Sequence, residues 1–230
     1  LPAETCKRKK NMNKKPLLIA TLALAVAAFA VGAWYATRPA PVGDGPTAIA
    51  QADRLIRAYS PVLGPEDAAV TIVEFFDPAC EACRAFHPIV KDILAQYPED
   101  VRVVIRYTPF HGESSEAAIL ALEAARMQGI YLPVMDALMT NQTSWARRGP
   151  SVPGAVMSIA GAAGLDITAA ESQMKMPDIV AIMNQDRADV ETIGIRQTPT
   201  FFVNGKPLEP FGEVTLRSLV KSEVERAEEN

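Results

Sequence analysis

Cys80 and Cys83 stand two residues apart, and the residues on either side of them change character. Before them, Val70-Thr71-Ile72-Val73-Glu74-Phe75-Phe76 is a β-branched and aromatic run bounded by Glu66-Asp67 and Asp77-Pro78, the pattern of a central buried strand. After them, Phe86, Ile89, Val90, Ile93, Leu94 and Tyr97 repeat at the spacing of one helix face, with Pro88 inside the pattern. The pair therefore sits on a strand-to-helix turn. Tyr97-Pro98-Glu99-Asp100 stops the helix, and Val101–Tyr107 reads as a second strand. Strand, helix, strand at this length is a βαβ unit with parallel strands.

Residues 111–193 read almost entirely as helices. Ser114 and Ser115 are placed to cap one that runs to about Gln128, with Gly129 as its stop. Others are expected over about Leu132–Thr140, Pro153–Ala163, Ala169–Met174 and Pro177–Ile193. Strand character then returns. Thr200–Val203 and Lys206–Leu208 flank Asn204-Gly205, a strong type I′ hairpin signal. Val214–Arg226 is a last amphipathic helix.

Charge divides the chain. Residues 1–15 carry a net +5, residues 16–37 none, and the remainder a net −9. An acidic body argues against nucleic-acid binding, which needs a basic surface. The uncharged stretch Leu17–Ala36 would span roughly 30 Å as a helix, the thickness of a bilayer core. With the basic residues before it, the N-terminus stays in the cytoplasm and the body is exported. Trp34 and Tyr35 at its far end favour an uncleaved anchor; Ala28-Phe29-Ala30 offers the rival reading, a signal-peptide cleavage site and a soluble periplasmic body. Residues 38–60 form a Pro/Gly-rich tether and a short amphipathic helix at Thr47–Tyr59, and residues 61–230 the main domain. Met12 resembles a natural start, and Cys6, upstream of it, receives no role.

At a helix N-terminus the first N–H groups lack helical partners and the macrodipole adds partial positive charge. A thiolate at Cys80 is stabilised there and is the attacking sulfur; Cys83, one turn in, is placed to resolve a mixed disulfide or close a disulfide with Cys80. Two other readings stay open. Zinc uses the same spacing but normally takes four ligands, and His87 and His111 are the body's only histidines. An inert structural bridge is the other.

Glu74 through Cys83, followed far downstream by Gly194-Ile195-Arg196-Gln197-Thr198-Pro199-Thr200-Phe201-Phe202-Val203-Asn204-Gly205, resembles the thioredoxin-fold thiol:disulfide oxidoreductases of the DsbA-like family. Tyr107 through Gly129 resembles that family's inserted helical domain. The likeness covers roughly Ser60 to Arg226. It implies an α/β thioredoxin fold, a central mixed sheet flanked by helices, with an insertion at about 111–193. It implies a cis-proline at Pro199 packed against the pair, Thr198 offering backbone hydrogen bonds to a substrate strand, and Glu74 as a buried acid beneath the pair. It implies no cofactor. Partners would be cysteine-containing exported proteins and a membrane redox partner, a quinone-linked oxidase or an electron-donating reductase, in the bacterial envelope facing the periplasm from the inner membrane. Glu81-Ala82 between the cysteines departs from the Pro-His of the family's strong oxidases, so Cys80 is expected to be less acidic, and its disulfide less oxidising, than theirs. An isomerase ranks below, because residues 38–60 are too short for the dimerisation domain that family isomerases carry.

Seven of the eight methionines lie between Met127 and Met183. They read first as helical core and second, with the cysteines, as soft ligands of a copper-binding or copper-delivery module. Trp145 falls in a loop-like stretch. Asn141-Gln142-Thr143 matches a glycosylation sequon too short to use.

Overall fold

A computed structural model of the chain describes residues 54–146 and 153–229. The leader and apolar segment, and most of the expected Thr47–Tyr59 helix, lie outside them. Among the described residues no helix is long and apolar enough to cross a membrane.

The sheet runs β1 (Val62–Leu63), β3 (Val101–Tyr107), β2 (Val70–Phe76), β4 (Thr200–Val203) and β5 (Lys206–Pro207) in spatial order. β2 is central and buried along its whole length. It pairs parallel with β3, from Val70 opposite Val101 to Phe76 opposite Tyr107, and antiparallel with β4. The parallel pair is joined by α1 (Glu81–Gln96), as the βαβ pattern requires. β4 and β5 form the expected hairpin: Asn204 and Gly205 have φ of 46° and 78°, the positive values a type I′ turn demands. β1 is a two-residue edge strand against β3, too short to leave a periodic signal.

Side chains alternate across β2 with period two. Ile72 and Phe76 join the larger core under α1 and the inserted helices. Val73 and Phe75 join a smaller cluster with Leu55, Val104, Val190 and Ile195 on the other face. Glu74 shares a face with Ile72 and Phe76, and so lies on the side of α1.

The insertion comprises α2 (Glu113–Met127), α3 (Tyr131–Thr140), α4 (Gln142–Trp145), α5 (Pro153–Ala162), α6 (Ile167–Gln173) and α7 (Pro177–Ile193). α8 (Glu213–Glu228) closes the domain. Two expectations need correction. Ser114 and Ser115 do not cap α2: Gly112 stands at the cap, both serines are buried inside the helix, and Ser115 Oγ accepts a hydrogen bond from the His111 N–H. Trp145 is not in a loop. It is fully buried at the end of α4, and its indole N–H donates to Leu138 O at 2.9 Å.

Residues 54–60, which include the end of the short amphipathic helix expected after the tether, pack into the body. Leu55 is buried. Arg57 makes a two-pronged bond to Asp189, and Tyr59 donates to Asp186 at 2.9 Å. Both aspartates lie on α7 and also bind Arg106 of β3, which is fully buried. The guanidinium further donates to the carbonyls of Arg54 and Leu55 and lies 5.6 Å from the centre of the Phe75 ring. The buried cation makes four hydrogen bonds and pairs with two carboxylates, the condition for tolerating a charge in an interior.

Candidate active site

Asp77-Pro78-Ala79-Cys80 is the turn between β2 and α1. Asp77 Oδ1 accepts from the Ala79 N–H at 2.9 Å, and the Cys80 N–H donates to Asp77 O at 3.0 Å. Cys80 thereby takes the N-cap of α1 in an extended conformation, φ −79° and ψ 127°. Cys83 lies one turn in and is fully buried, whereas Cys80 is 8% exposed. Both are free thiols. The Cys80 thiol donates to Thr198 O at 3.2 Å, and the Asp77 N–H donates to Cys83 Sγ at 3.4 Å. The Thr198–Pro199 peptide bond is cis, as the resemblance implied.

The two sulfurs differ sharply in acidity. A hydrogen bond from the Cys83 thiol, together with the N–H groups of Ala82 and Cys83 in the first helical turn, lowers the Cys80 pKa to about 5 against the opposing effect of burial. Burial pushes Cys83 well above its ordinary value, and its bond to Cys80 and the charge of Glu74 add to the effect. Near neutrality Cys80 is thiolate and Cys83 is thiol.

Glu74 is 3% exposed, and its Oε1 has no hydrogen-bond partner among the described residues. Burial raises its pKa to about 8, and the Cys80 charge adds to the rise. The carboxyl borders a cavity of about 210 Å³, otherwise lined mostly by apolar groups such as Phe76, Ile105 and Met135. His87, Lys91 and Asp136 also border this cavity and line an outer groove.

A carboxyl whose folded pKa lies above its unfolded value costs stability as pH rises from the unfolded value, near 4.5, to the folded one, near 8. Glu74→Gln removes that cost. It is expected to stabilise the reduced protein by on the order of 3 kcal/mol at pH 7, with the gain vanishing below about pH 4. Urea unfolding from pH 4 to 8 checks this; a gain independent of pH would count against a raised Glu74.

The structure brings together Cys80, Cys83, Glu74, Thr198 and Pro199. Ala82 is half-buried and Glu81 is exposed, and the groups that lower the Cys80 pKa are Cys83, Thr198 and Ala82. His87 does not join the cysteines: its Nε2 is 2.7 Å from Asp136 Oδ1, and Lys91 donates to Asp136 Oδ2 at 2.6 Å. Among the described residues no group of three or more histidine, cysteine or acidic side chains could hold a metal. Met135, Met139 and Met183 are core residues, while Met127 and Met176 are exposed and apart from the pair in sequence.

Three residues surround the turn: Asp77, which the sequence marked only as a strand boundary, His111, noted only as one of the body's two histidines, and Gln142, which nothing singled out. Asp77 is fully buried; its Oδ2 accepts from the Phe110 N–H at 2.8 Å and lies 2.6 Å from His111 Nδ1, so His111 is held at the turn while its side chain stays exposed. Gln142 is 1% exposed, and its side-chain amide donates to Pro78 O and Cys80 O, each at 2.8 Å. The Asp77-Pro78 pair that bounds the strand run is also a turn-forming pair. Nothing local to Gln142 points to a partner more than sixty residues away.

A dithiol at the first turn of the helix that follows the central strand, facing a cis-proline that opens the next strand, is the arrangement of thioredoxin-fold proteins. Helices inserted between β3 and β4 make it DsbA-like. The sequence model of the family described as Thioredoxin matches residues 57–222, and the chain belongs to that family. A thioredoxin-like oxidoreductase from Silicibacter pomeroyi DSS-3 is 33% identical and superposes with a TM-score of 0.65, over 77% of this chain and 98% of that one. BdbD from Bacillus subtilis (24% identity, TM-score 0.63, 72% and 93% of the two chains) and α-DsbA1 from Wolbachia pipientis (18%, 0.68, 77% and 96%) share the fold. Among curated proteins, the Na(+)/H(+) antiporter NhaA of Herminiimonas arsenicoxydans is 33% identical over 147 residues, 64% of this chain and 22% of that protein. NhaA 1 of Mycolicibacterium gilvum is 30% identical over 206 residues, 82% and 30%. The chain spans less than a third of the length of these curated relatives.

Proposed function

We propose that the chain is an envelope thiol:disulfide oxidoreductase that exchanges disulfides with exported proteins through Cys80 and Cys83. The observation that carries this reading is the split in acidity between two adjacent thiols, one at a helix N-terminus beside Thr198 and one buried above Glu74. In the reducing direction the Cys80 thiolate attacks a client disulfide. A Cys80–client bond forms, the client S–S bond breaks, and the departing client thiolate takes a proton from water. In the mixed disulfide the Cys80 charge is gone, and with it the part of the Glu74 rise that this charge adds; Glu74 ionises more readily, and its carboxylate takes the proton of Cys83, which attacks Cys80 Sγ. The mixed disulfide breaks, the second client thiolate leaves, and the Cys80–Cys83 disulfide holds the client's lost oxidising equivalent. The reverse sequence oxidises a client dithiol, with protonated Glu74 returning its proton to the Cys83 thiolate. The backbone at Thr198 and Pro199 lies beside Cys80 and would hold the client strand.

Regeneration in either direction requires a redox partner, and the apolar segment at residues 16–37 suits an inner-membrane anchor that keeps the domain near a membrane-bound one. The likeness to membrane antiporters that contain a matching stretch supports work beside a membrane. With Glu81 in place of a histidine, the disulfide is expected to be less oxidising than in the strong oxidases.

Insulin reduction and refolding of reduced ribonuclease, with wild type and Cys80→Ser, test the proposal. Both activities are expected in the wild type and neither in the variant. Inactivity of both proteins, with stoichiometric binding of copper or zinc by the wild type, would instead support the metal-binding alternative. Efficient rescue of scrambled ribonuclease without added oxidant would point to an isomerase.

A further inference from the structure

We propose that Gln142, on α4 of the insertion, is a positioning residue that holds the Cys80 turn in the geometry that stabilises its thiolate; the inference rests on the redox role of Cys80. Its amide group donates at 2.8 Å to both Pro78 O and Cys80 O, the carbonyls that flank Ala79 and Cys80. Cys80 O also accepts the first bond of α1, from the Arg84 N–H at 3.1 Å. The amide therefore grips the N-cap residue itself. With Gln142 in place, the negative ends of these two peptide dipoles point toward a donor. Without it, two buried carbonyls lose that partner and the peptide units next to the sulfur can rotate, which moves the Ala82 and Cys83 N–H groups off Sγ.

The placement of α4 is specific to this task. The helix is only four residues long, and its two buried side chains do separate work. Trp145 pins it to α3 through Leu138 O, and Gln142 reaches across to the thioredoxin body. On its other side the turn is tied by Asp77 to the start of the insertion at Phe110 and His111. The insertion thus grips the Cys80 turn from two directions. The titratable groups around Cys80 are Cys83 and Glu81 on α1, Glu74 on β2, and Asp77 with His111 against it. Gln142 is neutral at every pH, so its effect is geometric and dipolar rather than a titration of its own.

The test is the rate of iodoacetamide alkylation at Cys80 as a function of pH, with the modified cysteine identified by peptide mass. It is run on reduced wild type, Gln142→Met and Gln142→Glu, alongside thermal unfolding. Methionine keeps the volume and removes both donors; glutamate keeps the shape and, once ionised, turns acceptors toward the two carbonyls. The wild-type midpoint is expected near pH 5. The methionine variant should be displaced upward by about one pH unit and the glutamate variant further. Profiles superimposed on the wild type, whatever the loss in melting temperature, would overturn the proposal and leave Gln142 a purely structural residue. Failure of both variants to fold would overturn it too, since a positioning residue leaves the fold in place. A wild type without a low midpoint would instead undermine the redox role of Cys80 itself, and the two failures are thereby told apart.

Discussion

Cys83→Ala is expected to abolish turnover while leaving Cys80 able to attack, so that the protein accumulates covalently joined to its client. Cys83 is fully buried, and its sulfur is hydrogen-bonded with Cys80. Its one accessible target is therefore the sulfur one turn away. Its thiolate, once formed, meets the Asp77 N–H. Alanine removes the resolving sulfur without opening the surface or adding a charge. Catalysed insulin reduction should fall by on the order of 10³-fold, because an external thiol must then do bimolecularly what Cys83 does within the complex. On a non-reducing gel the variant should migrate as a Cys80-linked adduct that a strong reductant dissolves. The Cys80→Ser, Cys83→Ala double variant should form none. Turnover close to wild type would show that the second sulfur is not the resolving one.

Arg106→Leu should produce the largest loss of stability. The replaced guanidinium contacts two aspartates of α7 and two carbonyls of the segment that enters the domain. Leucine fills much of the volume but strands Asp186, which is 1% exposed and also accepts from the Tyr107 N–H at 2.8 Å. Removing one member of a buried ionic group costs about 3–5 kcal/mol, a large part of the roughly 5–15 kcal/mol that holds a domain together. The pH dependence has a definite sign. Burial acts to raise the Asp189 pKa, but Arg57 and Arg106 outweigh it and hold the group below its ordinary value. Its contribution is present above the unfolded carboxylate pKa and is lost as pH falls through the folded one. The difference between wild type and Arg106→Leu should therefore shrink below about pH 4. Urea unfolding at pH 7 and pH 3.5 measures it, and Arg106→Leu combined with Asp189→Asn should recover part of the loss. A cost under 1 kcal/mol at pH 7 would mean that the two aspartates are stabilised without the arginine.

Sequence periodicity carried the elements that are long or chemically marked. β2 and α1 were legible because a continuous apolar run and a three-to-four repeat each bury one defined surface. The Asn204-Gly205 turn was legible because few residue pairs accept two positive φ values. α7, expected over about Pro177–Ile193, forms over those residues, and the left-handed Gly194 ends it. Elements of two and four residues, β1 and α4, were not legible: neither is long enough to show a period, and each exists because neighbours cover it. Ser114 and Ser115 failed as caps because α2 starts earlier, with Gly112 at the cap and both serines packed inside the helix.

The candidate site divides in the same way. Cys80, Cys83, Glu74 and the Thr198-Pro199 pair could be placed from the sequence. The cysteines were placed by a strand end and a helix start, which are local properties of the chain; Glu74, Thr198 and Pro199 were placed by the family resemblance. Only the folded molecule shows that Asp77 ties the turn to His111, that Gln142 grips the carbonyls beside Cys80, and that residues 54–60 are locked to α7 around Arg106. Those partners are separated by between 34 and 132 residues. A polar side chain in a sequence does not reveal whether water or a distant carbonyl will satisfy it; that is decided when the insertion closes over the turn and the water is gone. The order strand, Cys-x-x-Cys, helix therefore defines what this protein can be, and the long-range hydrogen bonds of Asp77 and Gln142 hold the turn that carries Cys80.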